Sequence, residues 1–213
     1  GKWDIGMATH AHLPRSRGYS TSLGYFEKSN SQWGSKCIQC DVCGEDANIT
    51  DLWDTDGPVT DVDETEYQEF KFEQRIKDII RKHDRSNPLF LFYAPHVAHC
   101  PLQVPQEYLD KFFFMAKETD TVTESCSTAG HDVKGINTMP GKPQPEHWNC
   151  RRQYRASVNL LDDILKGIVD VLKKRDMWKD TLLVFTSDNG GPPNSGATNF
   201  PLRGGKEMMW EGG

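Results

Sequence analysis

Residues Thr181 to Gly213 read TLLVFTSDNGGPPNSGATNFPLRGGKEMMWEGG. The run Leu182-Leu183-Val184-Phe185 is short and wholly apolar, and it stops at Thr186-Ser187-Asp188-Asn189-Gly190-Gly191. This pattern predicts a buried strand that enters a tight loop. The strand would carry a carboxylate and a carboxamide at its carboxyl end, where open α/β sheets bind ligands. Two hard oxygen donors suit Ca²⁺ or Mg²⁺ better than zinc. Further on, Arg203-Gly204-Gly205-Lys206 brings cations on a backbone able to approach a ligand closely. The stretch thus predicts an anion held between a metal ion and side-chain cations. The plainer alternative is an Asp-Asn-Gly-Gly turn with a solvated lysine.

A second segment has the same design. Leu89-Phe90-Leu91-Phe92-Tyr93 predicts another apolar strand, ending at Ala94-Pro95-His96-Val97-Ala98-His99-Cys100-Pro101. Two strand ends that deliver polar side chains predict one shared cleft, with His99 in it. The region between 64 and 83 predicts a helix with Tyr67, Phe70, Ile76, Ile79 and Ile80 on its apolar side, acids early and bases late. A short helix is expected at 105–114 behind Pro105. The clearest helix is expected at 154–174, with Val158, Leu161, Leu165, Ile168 and Leu172 as its stripe. Residues 117–149 are polar, rich in Thr, Gly and Pro, and read as a surface excursion tied by Cys126 and Cys150. The order helix, strand, helix, helix, strand fits an α/β sandwich.

The 213 residues suffice for one domain, and the net charge of -6 argues against a general nucleic-acid binder. No run approaches the roughly 18 apolar residues of a membrane span. Of six cysteines, Cys37, Cys40 and Cys43 are spaced as in a metal knuckle, but His12 and His83 lie far from them, which favours disulfides over zinc. Asn48-Ile49-Thr50 is an N-glycosylation acceptor triplet. Disulfides and a glycosylation site point to the secretory pathway, lysosomal or extracellular. The opening stretch, GKWDIGMATHAHLPR, crowds Lys2, His10 and His12 where they could face an anion, although a solvated loop would look the same.

Several motifs now speak together. Gly1-Lys2-Trp3-x-x-Gly6 resembles the GKW-H-x-G signature of the sulfatase family. So do the strand ending at His99-Cys100-Pro101, the Ser187-Asp188-Asn189-Gly190-Gly191 strand end, and Pro201-Leu202-Arg203-Gly204-Gly205-Lys206 followed by Trp210-Glu211-Gly212-Gly213. The nearest likeness is to the arylsulfatase B group. The resemblance implies an alkaline-phosphatase-like α/β sandwich, with a central mixed, mostly parallel sheet flanked by helices. It implies hydrolysis of sulfate esters on sulfated small molecules or glycans. Asp188 and Asn189 would bind Ca²⁺, Lys2 and Lys206 would hold sulfate oxygens, and His99 would bind sulfate and protonate the leaving oxygen. The family's nucleophile is formylglycine, made by a formylglycine-generating enzyme within a C-x-P-S-R motif.

Two departures stand out. Asp4 replaces the histidine of GKW-H, so His10 or His12 is the candidate substitute. No C-x-P-S-R occurs in these 213 residues. The chain is therefore expected to be part of one sulfatase catalytic domain, truncated at both ends and inactive alone. Two rival readings are a phosphodiesterase or phosphonate hydrolase of the same superfamily, which would need two transition ions, and a non-catalytic relative that binds sulfated glycans.

Overall fold

The computed structural model describes residues 3–26, 30–34, 51–63, 65–117 and 150–213. Its centre is the pairing of two helices. Helix α1, Gln68–Lys82, buries Phe72, Ile76 and Ile80. The short α2, Gln106–Asp110, follows Pro105, whose fixed φ starts the turn. Helix α3, Cys150–Lys174, is longer at its start than the sequence pattern suggests. It packs on both α1 and α2.

The buried face of α3 matches the expected stripe at Ile168 and Leu172 and differs from it nearer the start of the helix. Gln153, Ser157, Leu160, Ile164, Ile168 and Val171 point inward at helical spacing. Val158 lies outside at 48% exposure, and Leu161 and Leu165 are only half-buried. Two polar residues on the seam explain the mismatch. Ser157 Oγ donates to the Gln153 carbonyl at 3.0 Å, so its polar atom is satisfied within the helix and the position can be buried. The core joins these side chains to Trp33, Tyr67, Val97 and Val104, with Leu89, Leu91 and Tyr93 packed against it.

A small sheet lies beside this core. Strands β1 (Leu23–Gly24), β2 (Trp53–Asp54) and β3 (Gly57–Pro58) run antiparallel in the order β1-β2-β3. The Arg75 guanidinium on α1 reaches Asp54 at 2.7 Å and Thr21 at 2.7 Å, which ties the sheet to the helix.

The two expected long strands are not laddered. Residues 89–93 and 182–185 form no strand. Leu89, Leu91 and Tyr93 turn to the helices while Phe90 and Phe92 face outward at 76% and 65% exposure, an alternation that fits extended chain. Leu182, Val184 and Phe185 are 88%, 75% and 66% exposed, so the expected burial of that run does not occur here. A parallel strand exists only through its neighbours' N–H and C=O groups. The described residues supply none to these two segments. The excursion beyond residue 117, as well as Cys37, Cys40, Cys43, Asn48 and Cys126, lies outside the described residues. Cys150 is disulfide-bonded. Among the described residues no helix is long and apolar enough to cross a membrane.

Candidate active site

Glu69, in the first turn of α1, shapes the turn that carries His99. Its fully buried carboxyl accepts from the Tyr93 hydroxyl and from the backbone N–H groups of His96 and Val97. Burial holds this carboxyl above the usual carboxylate range, and the hydrogen bonds from Tyr93, His96 and Val97 oppose that rise. The turn then closes with His99 N donating to His96 O at 2.8 Å. His99 Nδ1 lies 2.7 Å from the Cys100 carbonyl. A carbonyl can only accept, so Nδ1 carries the proton and Nε2 is the chemically versatile nitrogen. The His99 ring is half-buried, 5.9 Å from the ring of His96.

The C-terminal loop is organised by Asn199. Its Oδ1 accepts from Gly191 N at 2.8 Å, and its Nδ2 donates to Gly191 O at 2.8 Å and to Gly204 O at 3.0 Å. One amide thus clamps the segment after Asp188-Asn189 to the segment before Lys206. Gly205 must be glycine here, because a Cβ would stand 2.6 Å from Gly191 O. Lys206 N comes within 3.5 Å of the same carbonyl. Asn189 Nδ2 donates to Gly190 O at 2.9 Å, so the opposite atom, Oδ1, is the one turned away from that contact. Asp188 and Asn189 are both exposed, and Lys206 is half-buried.

Two contacts join this loop to the histidine turn. Cys100 Sγ is 4.0 Å from Ser195 Oγ. Tyr154, on α3, packs against Cys100 and has its hydroxyl 3.3 Å from the Cβ position of Gly191. Burial raises the Tyr154 pKa, and the Asp188 carboxylate raises it further.

The opposite flank is the N-terminal segment. Trp3 N donates to Tyr25 O at 3.3 Å, and the Tyr25 ring lies 5.2 Å from that of His96. The Tyr25 hydroxyl is pushed far up, first by burial, then by Glu69 and Asp4. Asp4, with φ of 53°, occupies the left-handed region, where most side chains are disfavoured. An arc of contacts thus runs from Trp3 through Tyr25, His96, His99 and Cys100 to Ser195 and Tyr154.

The two candidate histidine substitutes part company. The His12 ring comes within 3.4 Å of the Gly6 Cβ position, and the Trp3 indole donates to the His12 carbonyl at 2.8 Å. His10 turns instead toward Trp53, at 6.3 Å between ring centres. Lys2 lies outside the described residues. Glu69 and Tyr154 escaped the sequence reading because they work through long-range partners, and Asn199 because its amide acts on the backbone groups of two glycines. For Asn199, its place between the flexible pairs Gly190-Gly191 and Gly204-Gly205 was the available signal.

As for a metal, Asp188 and Asn189 are hard donors suited to Ca²⁺. They are two of the six to eight oxygens Ca²⁺ takes. Among the described residues no three His, Cys, Asp or Glu side chains gather as a metal group. Asp188 and Asn189 therefore fit as part of a coordination shell rather than as a complete one.

Comparison with known proteins agrees with this picture. The sulfatase family model matches residues 8–213. Arylsulfatase J of Mus musculus is 30% identical over 214 residues, which cover 100% of this chain and 30% of that protein. An arylsulfatase of Klebsiella aerogenes is 21% identical over 92% of this chain and 45% of its own length. N-acetylgalactosamine-6-sulfatase of Mus musculus is 26% identical over 67% of the chain and 21% of its own. The crystal structure of Ps i-CgsB superposes with a TM-score of 0.72 at 25% identity, covering 100% of this chain and 41% of that one. That likeness carries the alkaline-phosphatase-like α/β fold. The chain spans less than half the length of each of these relatives. Matched along nearly its whole length by the family's pattern, and folded as the family folds, this chain belongs to the sulfatase family.

Proposed function

We propose that the protein carrying this chain is a calcium-dependent sulfuric ester hydrolase acting on sulfated sugars. The observation that supports this most is the arc itself. His99 and the loop that carries Asp188 and Lys206 come from distant parts of the sequence, yet a short series of contacts through Cys100, Ser195, Tyr154 and Gly191 links the two segments. Sulfuryl transfer, like phosphoryl transfer, asks mainly for positioning and for stabilisation of spread negative charge. Ca²⁺ held in part by Asp188 and Asn189 would supply positive charge against the sulfate and the nucleophile. Lys206, together with Lys2, would hold sulfate oxygens. His99, its tautomer fixed by the Cys100 carbonyl, would bind the ester through Nε2 and pass a proton to the leaving oxygen. The sequence has no C-x-P-S-R stretch, so formylglycine would come from outside these 213 residues. The chain alone is therefore expected to be inactive.

Sugar sulfates are favoured over simple aryl sulfates by the names of two relatives, N-acetylgalactosamine-6-sulfatase and iduronate 2-sulfatase. The Cys150 disulfide supports folding in an oxidising compartment, in keeping with a secreted or lysosomal protein glycosylated at Asn48. His12, rather than His10, is the substitute for the missing GKW-H histidine, since its ring lies against Gly6.

The test is turnover of p-nitrophenyl sulfate and of galactosamine 6-sulfate by the full-length protein, made with its formylglycine. Hydrolysis that chelators abolish, and that His99→Ala lowers by roughly 10²-fold or more, is expected. A full-length protein that carries formylglycine and Ca²⁺ yet turns over neither ester would overturn the proposal. Asp4 favours a second reading, a binder of sulfated glycans without catalysis. That protein would retain sulfated oligosaccharides on a binding assay and hydrolyse none.

A further inference from the structure

A cavity of about 430 Å³ opens beside the N-terminal segment, between the turn at His10 and the small sheet. This falls within the range of roughly 300–1,000 Å³ usual for small-molecule sites. Its walls include Thr9, His10, Phe26, Asp51 and Trp53. The Phe26 and Trp53 rings meet at 61° with centres 5.9 Å apart, forming an aromatic corner. The His10 ring lies 6.3 Å from that of Trp53, tilted at 55°.

Each wall is pinned. Trp53 belongs to β2, and its indole Nε1 donates to Thr55 O at 3.3 Å. The Phe26 backbone N–H is held by the Asp51 carboxylate at 3.1 and 3.2 Å. Ser16 Oγ fixes the His10 carbonyl at 2.9 Å. Such anchoring removes much of the ordering cost that binding would otherwise carry.

We infer that this cavity binds an uncharged sugar ring of the substrate glycan, adjoining the sulfated unit. The inference rests on the proposed hydrolase reading for its link to substrate, but not for the binding itself. Aromatic faces stack on the apolar C–H face of a pyranose. The polar groups of Thr9, His10 and Asp51 match ring hydroxyls. Asp51 brings negative charge into the wall, which disfavours a second sulfate there and selects a neutral ring. The cavity also sits close to the arc. Phe26 follows Tyr25, whose ring packs on His96.

The test uses the full-length protein and N-acetyllactosamine, a neutral disaccharide, in saturation-transfer NMR. Wild type is expected to show transfer to ring protons. Trp53→Ala should weaken binding roughly tenfold, the scale of one lost aromatic contact. Trp53→Phe should keep most of it. His10→Ala, at an exposed position where folding is not at stake, should weaken it severalfold. On a sulfated oligosaccharide, Trp53→Phe and His10→Ala should raise KM more than they lower kcat. No transfer to wild type, or transfer unaltered by both Trp53→Ala and His10→Ala, overturns the inference. Wild-type turnover of p-nitrophenyl sulfate and of galactosamine 6-sulfate is measured on the same sample. If both are absent, the hydrolase reading fails while the binding result still stands.

Discussion

Glu69 shows how one buried carboxyl sets the turn that leads to His99. Two backbone N–H groups and one hydroxyl converge on it, and no basic side chain is bonded to it among the described contacts. Removing its oxygens would leave those N–H groups buried without partners, at about 1–3 kcal/mol each. Its pKa also has a consequence for stability. Because burial raises the folded value, the native state holds this proton to higher pH than the unfolded state does. The resulting stability is fully present below the unfolded carboxyl value of about 4.3 and is lost as pH rises through the folded value. Glu69→Gln keeps an acceptor for the N–H groups and cannot ionise. Urea unfolding of the full-length protein from about pH 4 to pH 7 should therefore show a shallower fall for Glu69→Gln than for wild type. Equal slopes would show that Glu69 does not titrate differently on folding.

At the scale of elements, the decisive fact is which side of α3 meets α1. Leu160 and Ile164 are at 0% and 1% exposure, whereas Val158 is at 48%. Leu160→Ala should cost about 2–5 kcal/mol, as a buried large-to-small change does. Val158→Ala should stay within about 0.5 kcal/mol, the range of surface changes. Chemical denaturation of the two variants checks both. Comparable losses would favour the stripe expected from sequence over the observed face. The C-terminal loop obeys a different logic. It has little regular structure, so its shape depends on Asn199 and on glycines such as Gly205 that let backbones touch.

For the whole molecule, the exposed apolar segments carry the main lesson. Leu182, Val184, Phe185, Phe90 and Phe92 form outward-facing surface where a strand pattern predicts burial. The relatives are two to five times longer than the matched stretch, so further sheet strands are expected from the rest of the full-length protein. Hydrogen exchange gives the check. Backbone amides of residues 182–185 should exchange fast in the isolated 213-residue chain, and at least about 100-fold more slowly in the full-length protein, where ladder bonds protect them. Equal fast exchange in both would mean that this run is a surface loop.

The candidate site was drawn from patterns that are local in sequence. Asp188 beside Asn189, the cation at Lys206, and His99 behind an apolar run are short patterns of residue types suited to holding an anion and a metal ion. The helices were legible too, since period and charge asymmetry are written within one element. What the chain alone did not reveal depends on contacts that only the folded chain makes. The inward face of α3 turned on whether Ser157 could satisfy its hydroxyl within the helix. The roles of Glu69, Tyr154 and Asn199 exist only through contacts across 27 or 28, 37 and 54, and 5 to 8 residues of chain. The family was thus determined by the sequence itself. Which groups hold the candidate residues in place, and whether His10 or His12 turns toward Gly6, was decided by folding. Burial and hydrogen-bond satisfaction are properties of neighbours in space, and no local pattern encodes them.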